Sequence, residues 1–122
     1  MENEIRETIA NLIEAGSTFN IENLDHLYHD DLKIVRIDQT GEAKILKKTD
    51  VISFFEFKKK NKHPHLNKSY QINYVDVGAD LAQVVLTRII DLTGKLEKAV
   101  YNICLIKKKM NWTVLKETVV VQ

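Results

Sequence analysis

The last third of the chain, residues 70–121, consists of four long strand-like runs of apolar and β-branched residues. Gly78, Gly94 and the polar segment Lys107–Asn111 interrupt these runs at the spacing of hairpin turns. Runs of this length, bounded by turn residues, are typical of strands that follow one another in a sheet. The pattern predicts an uninterrupted antiparallel meander in the C-terminal part of the protein.

Three segments ahead of this meander carry apolar residues at helical spacing. The stripe of the first helix consists of Ile5, Ile9, Leu12 and Ile13. That helix is predicted to stop at Gly16, and Asn20 is a favourable N-cap for a second, shorter helix. A third helix is predicted from a cap at Thr49 or Asp50 to about Asn61.

A short hairpin is predicted between the second and third helices. Leu32–Asp38 alternates as a strand, Asp38–Gly41 forms a turn, and Glu42–Leu46 is the short return strand. Helices followed by an antiparallel meander predict an α+β domain, with the helices packed on one face of a curved sheet. An architecture of this kind usually encloses a pocket. The chain shows no composition shift or repeat, so residues 1–122 are expected to form one domain.

Composition and charge exclude several classes of protein. With 44% hydrophobic and 29% charged residues, the 122-residue chain is neither disordered nor fibrous in type. Its 18 basic and 17 acidic side chains give a net charge of +1, so we expect no nucleic-acid or membrane partner. All four glycines are used at predicted element boundaries, and no glycine-rich phosphate-binding loop is present.

Metal and cofactor sites are not expected. The single cysteine, Cys104, excludes an intramolecular disulfide and a cysteine zinc site. His26 and His29 stand beside Asp30 and Asp31, but a zinc site needs a further ligand that the sequence does not place nearby. These histidines are interpreted as solvated side chains at a helix end.

No targeting signal is recognisable in the sequence. Met1–Glu4 is acidic and leads directly into the first amphipathic pattern, without the basic and apolar regions of a secretory signal. No apolar run approaches 18 residues. We therefore expect a cytoplasmic protein.

Several segments together resemble the nuclear transport factor 2-like (NTF2-like) superfamily. They are Glu14–Gly16, Asn20–Leu27, Tyr28–Asp31, Val77–Ala82 and Asn111–Val114. The resemblance covers the whole chain in element order and spacing. Within the superfamily, the chain is most similar to small bacterial proteins labelled lumazine-binding or polyketide-cyclase-like.

This resemblance implies a cystatin-like α+β fold. A strongly bent antiparallel sheet would form a cone-shaped barrel around a long N-terminal helix, with an apolar pocket at the open end. It also implies a homodimer through the sheet face, and the many apolar side chains on the outer face of the predicted sheet favour the same partner. Members of the superfamily include isomerases, dehydratases, cyclases and transport adaptors, so the fold alone does not assign a function.

The ketosteroid isomerase pattern of this superfamily is not matched. Aligned through Tyr28–Asp31, the position of the general-base aspartate falls on Arg36. Aligned through Gly16, the oxyanion-hole tyrosine falls on about Ile9, and the second oxyanion donor falls near Asn102. A guanidinium stays protonated and cannot act as a base near neutral pH, so isomerase chemistry of this type is not expected.

Arg36 is the main candidate for ligand binding. Strand alternation places it on the inward face with Leu32, Ile34 and Asp38, where an arginine is costly unless it is paired. It could hold a carboxylate, phosphate or enolate of a ligand. Alternatively, it could form an internal ion pair with Asp38 or Asp91, or lie in solvent if the alternation slips.

Three functional hypotheses follow, all compatible with a homodimer. The first is a protein that binds a small apolar or aromatic molecule, anchored by Arg36 and Asn102. The candidate ligand-binding residues are Arg36, Asn102, Tyr74, Arg88, Phe55 and Trp112. The second is a cyclase, dehydratase or isomerase-type enzyme in which Asp38 is the acid–base group. The third is an interaction module whose pocket is filled by large side chains such as Tyr74, Phe55 and Trp112.

Overall fold

The structure, a computed structural model that describes residues 1–122, contains three helices and six strands. The helices are α1 (Glu2–Ser17), α2 (Ile21–Leu27) and α3 (Lys48–Lys60). The strands are β1 (Tyr28–Ile37), β2 (Ala43–Lys47), β3 (Gln71–Val77), β4 (Leu81–Ile90), β5 (Glu97–Lys108) and β6 (Asn111–Val121). The predicted α+β class and the order of the elements are confirmed.

All six strands form one sheet in the order β2-β1-β6-β5-β4-β3. The predicted antiparallel meander, β3 to β6, is confirmed, but β1 runs parallel to β6. The expectation of a purely antiparallel sheet is therefore wrong at this pair. The helical crossover between β2 and β3 returns the chain so that β1 and β6 run the same way. Because β2 and β3 remain unpaired edges, the sheet curls without closing into a barrel.

The apolar stripe of α1 forms part of the core against the inner face of this sheet. Its predicted members, Ile5, Ile9, Leu12 and Ile13, are all buried. They join one cluster of 23 buried residues that includes side chains from every strand except β2 and β3. The helical periodicity therefore identified the surface that α1 buries.

The end of α1 differs from the prediction. The helix continues through Gly16 to Ser17, and the residue with a left-handed backbone is Phe19, at φ 55°. Such a conformation is uncommon for a non-glycine residue. The Phe19 ring is buried, with its centroid 6.2 Å from that of Phe55, and this packing holds the strained backbone in place.

Local hydrogen bonds set the starts of α2 and α3. The Asn20 side chain accepts a hydrogen bond from the Asn23 N–H at 3.2 Å, which confirms the predicted N-cap. Helix α3 begins at Lys48, earlier than predicted. The Asp50 carboxylate accepts from the Lys47 N–H at 2.9 Å, so Asp50 occupies the third helical position of a capping box instead of the cap itself.

Lys48 ties α3 to the end of α2 and the start of β1. Its Nζ donates to the backbone oxygens of Asp25 and Tyr28 at 2.9 and 3.0 Å and lies 3.1 Å from the Asp30 carboxylate. We expect Lys48→Met to lower the free energy of unfolding by about 1–2 kcal/mol, because these carbonyls lose a charged donor. Urea unfolding checks this against Lys60→Met, an exposed position on the same helix. Equal losses in the two variants would contradict the prediction.

The outer face of the sheet carries exposed apolar side chains, including Ile89 on β4 and Val120 on β6. The homodimer through this face stays a prediction. None of the helices has the length and apolar character needed to cross a membrane.

Candidate functional site

A cavity of about 760 Å³ lies between α1, α3 and the inner face of the sheet. Of its 24 lining residues, 16 are hydrophobic. Ile45 on β2 and Phe54 and Phe57 on α3 line it and are also exposed, so the mouth lies between β2 and α3. The size and apolar lining are those of a small-molecule pocket. The side chains of the protein leave this space open, in contrast to the filled pocket of the interaction-module hypothesis.

Arg36 faces the cavity, as strand alternation predicted, but its charge is paired within the protein. Its Nη2 donates to Glu97 Oε1 at 2.6 Å, and both side chains are largely buried. The pair joins β1 to β5 across the intervening β6. The predicted alternative of an internal ion pair is the one observed, with Glu97 in place of Asp38 or Asp91.

Arg88 is the arginine that the fold leaves without an ion pair. It lines the cavity on the inward face of β4 and is 8% exposed. Its Nη2 donates to the Asn67 carbonyl at 2.7 Å and lies 3.4 Å from Ser17 Oγ, while its Nε has no partner. Burial lowers the pKa of Arg88, but a guanidinium still remains protonated near neutral pH. The cavity wall therefore contains a positive charge that no carboxylate neutralises by direct contact.

Glu117 is the functional candidate that the sequence interpretation missed. This residue of β6 lines the cavity and is 4% exposed, yet its carboxylate accepts no hydrogen bond and forms no salt bridge. Burial raises the pKa of Glu117 to about 7, and the charge of Arg88 only partly opposes this rise. Burial also raises the pKa of Tyr28 well above its usual value, so this neighbour stays a neutral phenol. The carboxyl of Glu117 can therefore hold or release a proton near neutral pH.

A β-bulge in β6 turns Glu117 inward. Val114 pairs with Leu105 and Lys116 pairs with Cys104, so Leu115 is an extra residue between the two pairs. The bulge shifts the alternation by one residue, and both Val114 and Glu117 become buried although they are three positions apart.

The sequence contained a signal for this bulge. The buried residues Trp112 and Val114 occupy even positions, whereas Val119 and Val121 occupy odd positions. In a regular strand, even-numbered and odd-numbered residues point to opposite faces, so these four side chains could not all be buried on one face. The change of phase requires an extra residue between them, and Glu117 is the acid that then falls on the inward face.

Asn102 does not lie in the cavity. Its neighbours Tyr101 and Ile103 on β5 line the cavity, so strand alternation turns Asn102 to the opposite face. There its Oδ1 accepts a hydrogen bond from Gln83 Nε2 at 3.0 Å. The expectation that Asn102 anchors a ligand in the pocket is wrong for this reason.

The predicted aromatic residues divide between the cavity and other surroundings. Phe55 lines the cavity, but Tyr74 pairs with Val85 on the outward face of the sheet and is 52% exposed. Trp112 is buried outside the cavity, and its Nε1 donates to Glu4 Oε2 at 3.3 Å. The structure thus brings Arg36, Arg88 and Phe55 together and leaves Tyr74 and Trp112 away from them.

Asp38 lies in the exposed turn between β1 and β2, outside the cavity lining. Its Oδ1 accepts hydrogen bonds from the Thr40 hydroxyl at 2.6 Å and from the Thr40 and Glu42 N–H groups at 2.9 and 3.0 Å. The Thr40 hydroxyl is the main cause of a lowered Asp38 pKa. An acid–base role required a raised pKa and a place in the pocket, so the assignment to Asp38 is wrong. No three histidine, cysteine or acidic side chains are grouped so that they could hold a metal ion.

Comparisons with known proteins identify the fold. No protein-family model matches the sequence, and no curated protein matches it. Among solved structures, an NTF2-like protein of unknown function from Silicibacter pomeroyi is similar, with a TM-score of 0.79 and 12% identity over 98% of this chain and 94% of that one. An NTF2-like protein from Cytophaga hutchinsonii has a TM-score of 0.76 and 18% identity, with 100% and 98% covered.

A domain of unknown function with a cystatin-like fold, from Nostoc punctiforme, is also similar. Its TM-score is 0.72 and its identity 13%, and the match covers 99% of this chain and 76% of that one. These likenesses show that the chain has the NTF2-like, cystatin-like fold that the sequence segments resembled. Function has to be argued from the cavity, since a fold at this level of identity carries none.

Proposed function

We propose that this protein binds a small, largely apolar organic molecule in the cavity between α1, α3 and the sheet. The observation that supports this most strongly is the open volume of about 760 Å³, two thirds of whose lining residues are hydrophobic. Apolar side chains around an open space gain stability when an apolar ligand displaces water from it.

The anchors of such a ligand differ from the residues first expected. Arg36 is neutralised by Glu97, and Asn102 faces away from the cavity. Arg88 Nε is instead a buried polar atom without a partner, and the Glu117 carboxyl lines the cavity without a hydrogen bond or salt bridge to the protein. Buried polar groups are normally satisfied, so a ligand that bonds to these two supplies what the fold lacks.

A thermal-shift screen of small organic molecules tests this proposal with two matched variants. Val119→Phe places a larger side chain in the cavity, whereas Val120→Phe adds the same side chain to the outer face one residue later. A ligand at 100 times its dissociation constant stabilises the wild type by about 2.7 kcal/mol, which raises the melting temperature by several degrees. We expect this rise to persist in Val120→Phe and to disappear in Val119→Phe. A screen without any stabilising compound, or equal rises in both variants, would contradict binding in the cavity.

A second candidate function is catalysis of proton transfer, with Glu117 in the role first given to Asp38. The observation that favours it is a cavity-facing carboxyl whose pKa lies at about 7, where general acid–base groups are most effective. Hydrogen–deuterium exchange at carbon atoms of a ligand from the screen, followed by NMR, tests this. We expect Glu117→Gln to retain binding and to lose the exchange. Equal exchange in both proteins would exclude Glu117 as the catalytic residue.

A further inference from the structure

The charges around the cavity do not sum to zero in every protonation state of the protein. The Arg36–Glu97 pair is neutral as a unit. The net charge of the cavity interior is therefore set by Arg88, which is always positive, and by Glu117, which is ionised only part of the time. When Glu117 is protonated, the interior carries one positive charge without a counter-ion.

The groups that face Glu117 from neighbouring strands do not provide another negative charge. Tyr28 on β1 is a buried phenol and Tyr101 on β5 a half-buried one, and burial raises the pKa of both. Arg88 on β4 is the cation that acts on Glu117, and the Arg36–Glu97 pair lies near Tyr101. The remaining ionisable residues of the lining, Lys44 and Asp50, are exposed and of opposite sign.

A buried guanidinium with no acidic partner binds a carboxylate more strongly than a neutral group, because the hydrogen bonds formed are charge-assisted. The hydrogen-bond partners of Arg88 are only a carbonyl and a hydroxyl, and its guanidinium lies over the neutral Tyr101 ring, 5.9 Å from the centroid. A cationic ligand could pair with ionised Glu117, but Arg88 in the same wall would repel it. The charge distribution therefore favours an anion over a cation.

We propose that the ligand is an apolar monocarboxylate, that Arg88 is its counter-charge, and that Glu117 takes up a proton when the ligand binds. This inference rests on the proposed binding function. The ligand carboxylate and an ionised Glu117 would repel each other in a site of low polarity, so the complex favours the protonated side chain. The protonated carboxyl then acts as a hydrogen-bond donor toward the ligand, and the positive charge of the interior is neutralised.

Calorimetric titration with decanoate and 3-phenylpropionate, from pH 5.5 to 8.5, tests the inference. The neutral probes are the corresponding primary amides, and the cationic probe is decylamine. We expect the carboxylates to bind about tenfold or more tightly than the amides at pH 6. Above pH 7 their affinity is expected to fall roughly tenfold per pH unit, because each binding event takes up one proton. Titrations in buffers of different ionisation enthalpy measure that proton directly.

Two variants separate the role of Glu117 from general effects of pH. Glu117→Gln keeps the uncharged form at every pH, so its affinity for the carboxylates should stay at the low-pH level of the wild type. Glu56→Gln, an exposed position on α3, should behave as the wild type does. Wild-type affinity that does not depend on pH, or a preference for the amides or the amine, overturns the inference and leaves the proposed binding function standing. If neither these probes nor any compound of the wider screen binds, both are overturned.

Discussion

Replacement of Glu117 by glutamine is expected to stabilise the ligand-free protein by about 3 kcal/mol at pH 8 and to have little effect at pH 4. The cause is the burial that raises the pKa of this carboxyl from 4.5 to about 7. At roughly 1.4 kcal/mol for each pH unit, this rise is the free energy that ionised Glu117 costs the folded state.

The sign of the effect follows from proton binding in the folded and unfolded states. Below pH 4.5 the carboxyl is protonated in both states, so its ionisation costs nothing. Between pH 4.5 and about 7 the unfolded chain releases the proton while the folded chain keeps it, so the stability falls as the pH rises. Above pH 7 the loss is complete. Glutamine is uncharged at every pH, so the variant does not lose stability as the pH rises through this range.

Urea unfolding of the wild type and Glu117→Gln at intervals between pH 4 and 8.5 measures the difference. Glu56→Gln is the matched control, because its side chain is exposed on α3. We expect the curves of the wild type and the control to run together and that of Glu117→Gln to separate from them above pH 5. A constant difference across the whole range would show that Glu117 titrates normally in the folded protein. Residues that lower stability at neutral pH are common in functional sites, so the expected separation of the curves would support a role for Glu117 in the cavity.

Truncation of Leu105 to alanine is expected to lower the free energy of unfolding by about 3–4 kcal/mol. Leu105 is completely buried in β5 and pairs with Ala82 on β4 and Val114 on β6. It lies beside the bulge of β6, where hydrogen-bonded strands on both sides restrict any collapse around a shortened side chain. Lost burial and the remaining void both contribute to the cost.

Leu81→Ala provides the control for this second prediction. Leu81 begins β4 and is 60% exposed, so the same truncation there removes little buried surface. We expect a change within about 0.5 kcal/mol for Leu81→Ala and a drop of roughly 10 °C or more in the melting temperature for Leu105→Ala. Comparable effects of the two truncations would mean that Leu105 does not lie in a closely packed core.

Local patterns predicted the elements well because the forces that form them act over a few residues. The apolar side chains from Ile5 to Ile13 share one face only when this segment is helical, and that face is buried. The Asn20 cap uses a side chain three residues from its donor. The inward alternation of Arg36 was also confirmed, since this residue lies in a regular part of β1.

Predictions about the site failed where a contact joins strands that are distant in sequence, or where the inward and outward alternation of side chains along a strand was not known. The partner of Arg36 is Glu97, which is 61 residues away and comes near only after β6 inserts between β1 and β5. Asn102 was chosen by alignment to a related pattern, but its own strand turns it outward. Asp38 was expected on the inward face of its strand, whereas it lies in an exposed turn whose own groups provide its hydrogen bonds.

Hydrophobic periodicity and turn residues act locally, so they were enough to predict the helices, the meander, the curved α+β architecture and the apolar interior. The folded chain was needed to identify the charge that remains without an ion pair and the carboxyl that enters the cavity. Those outcomes depend on strand order and on a one-residue bulge, which bring together distant side chains or invert their direction. The pairing of Arg36 with Glu97 leaves Arg88 as the cavity arginine without an ion pair, and the bulge at Leu115 places Glu117 in the lining of the same cavity.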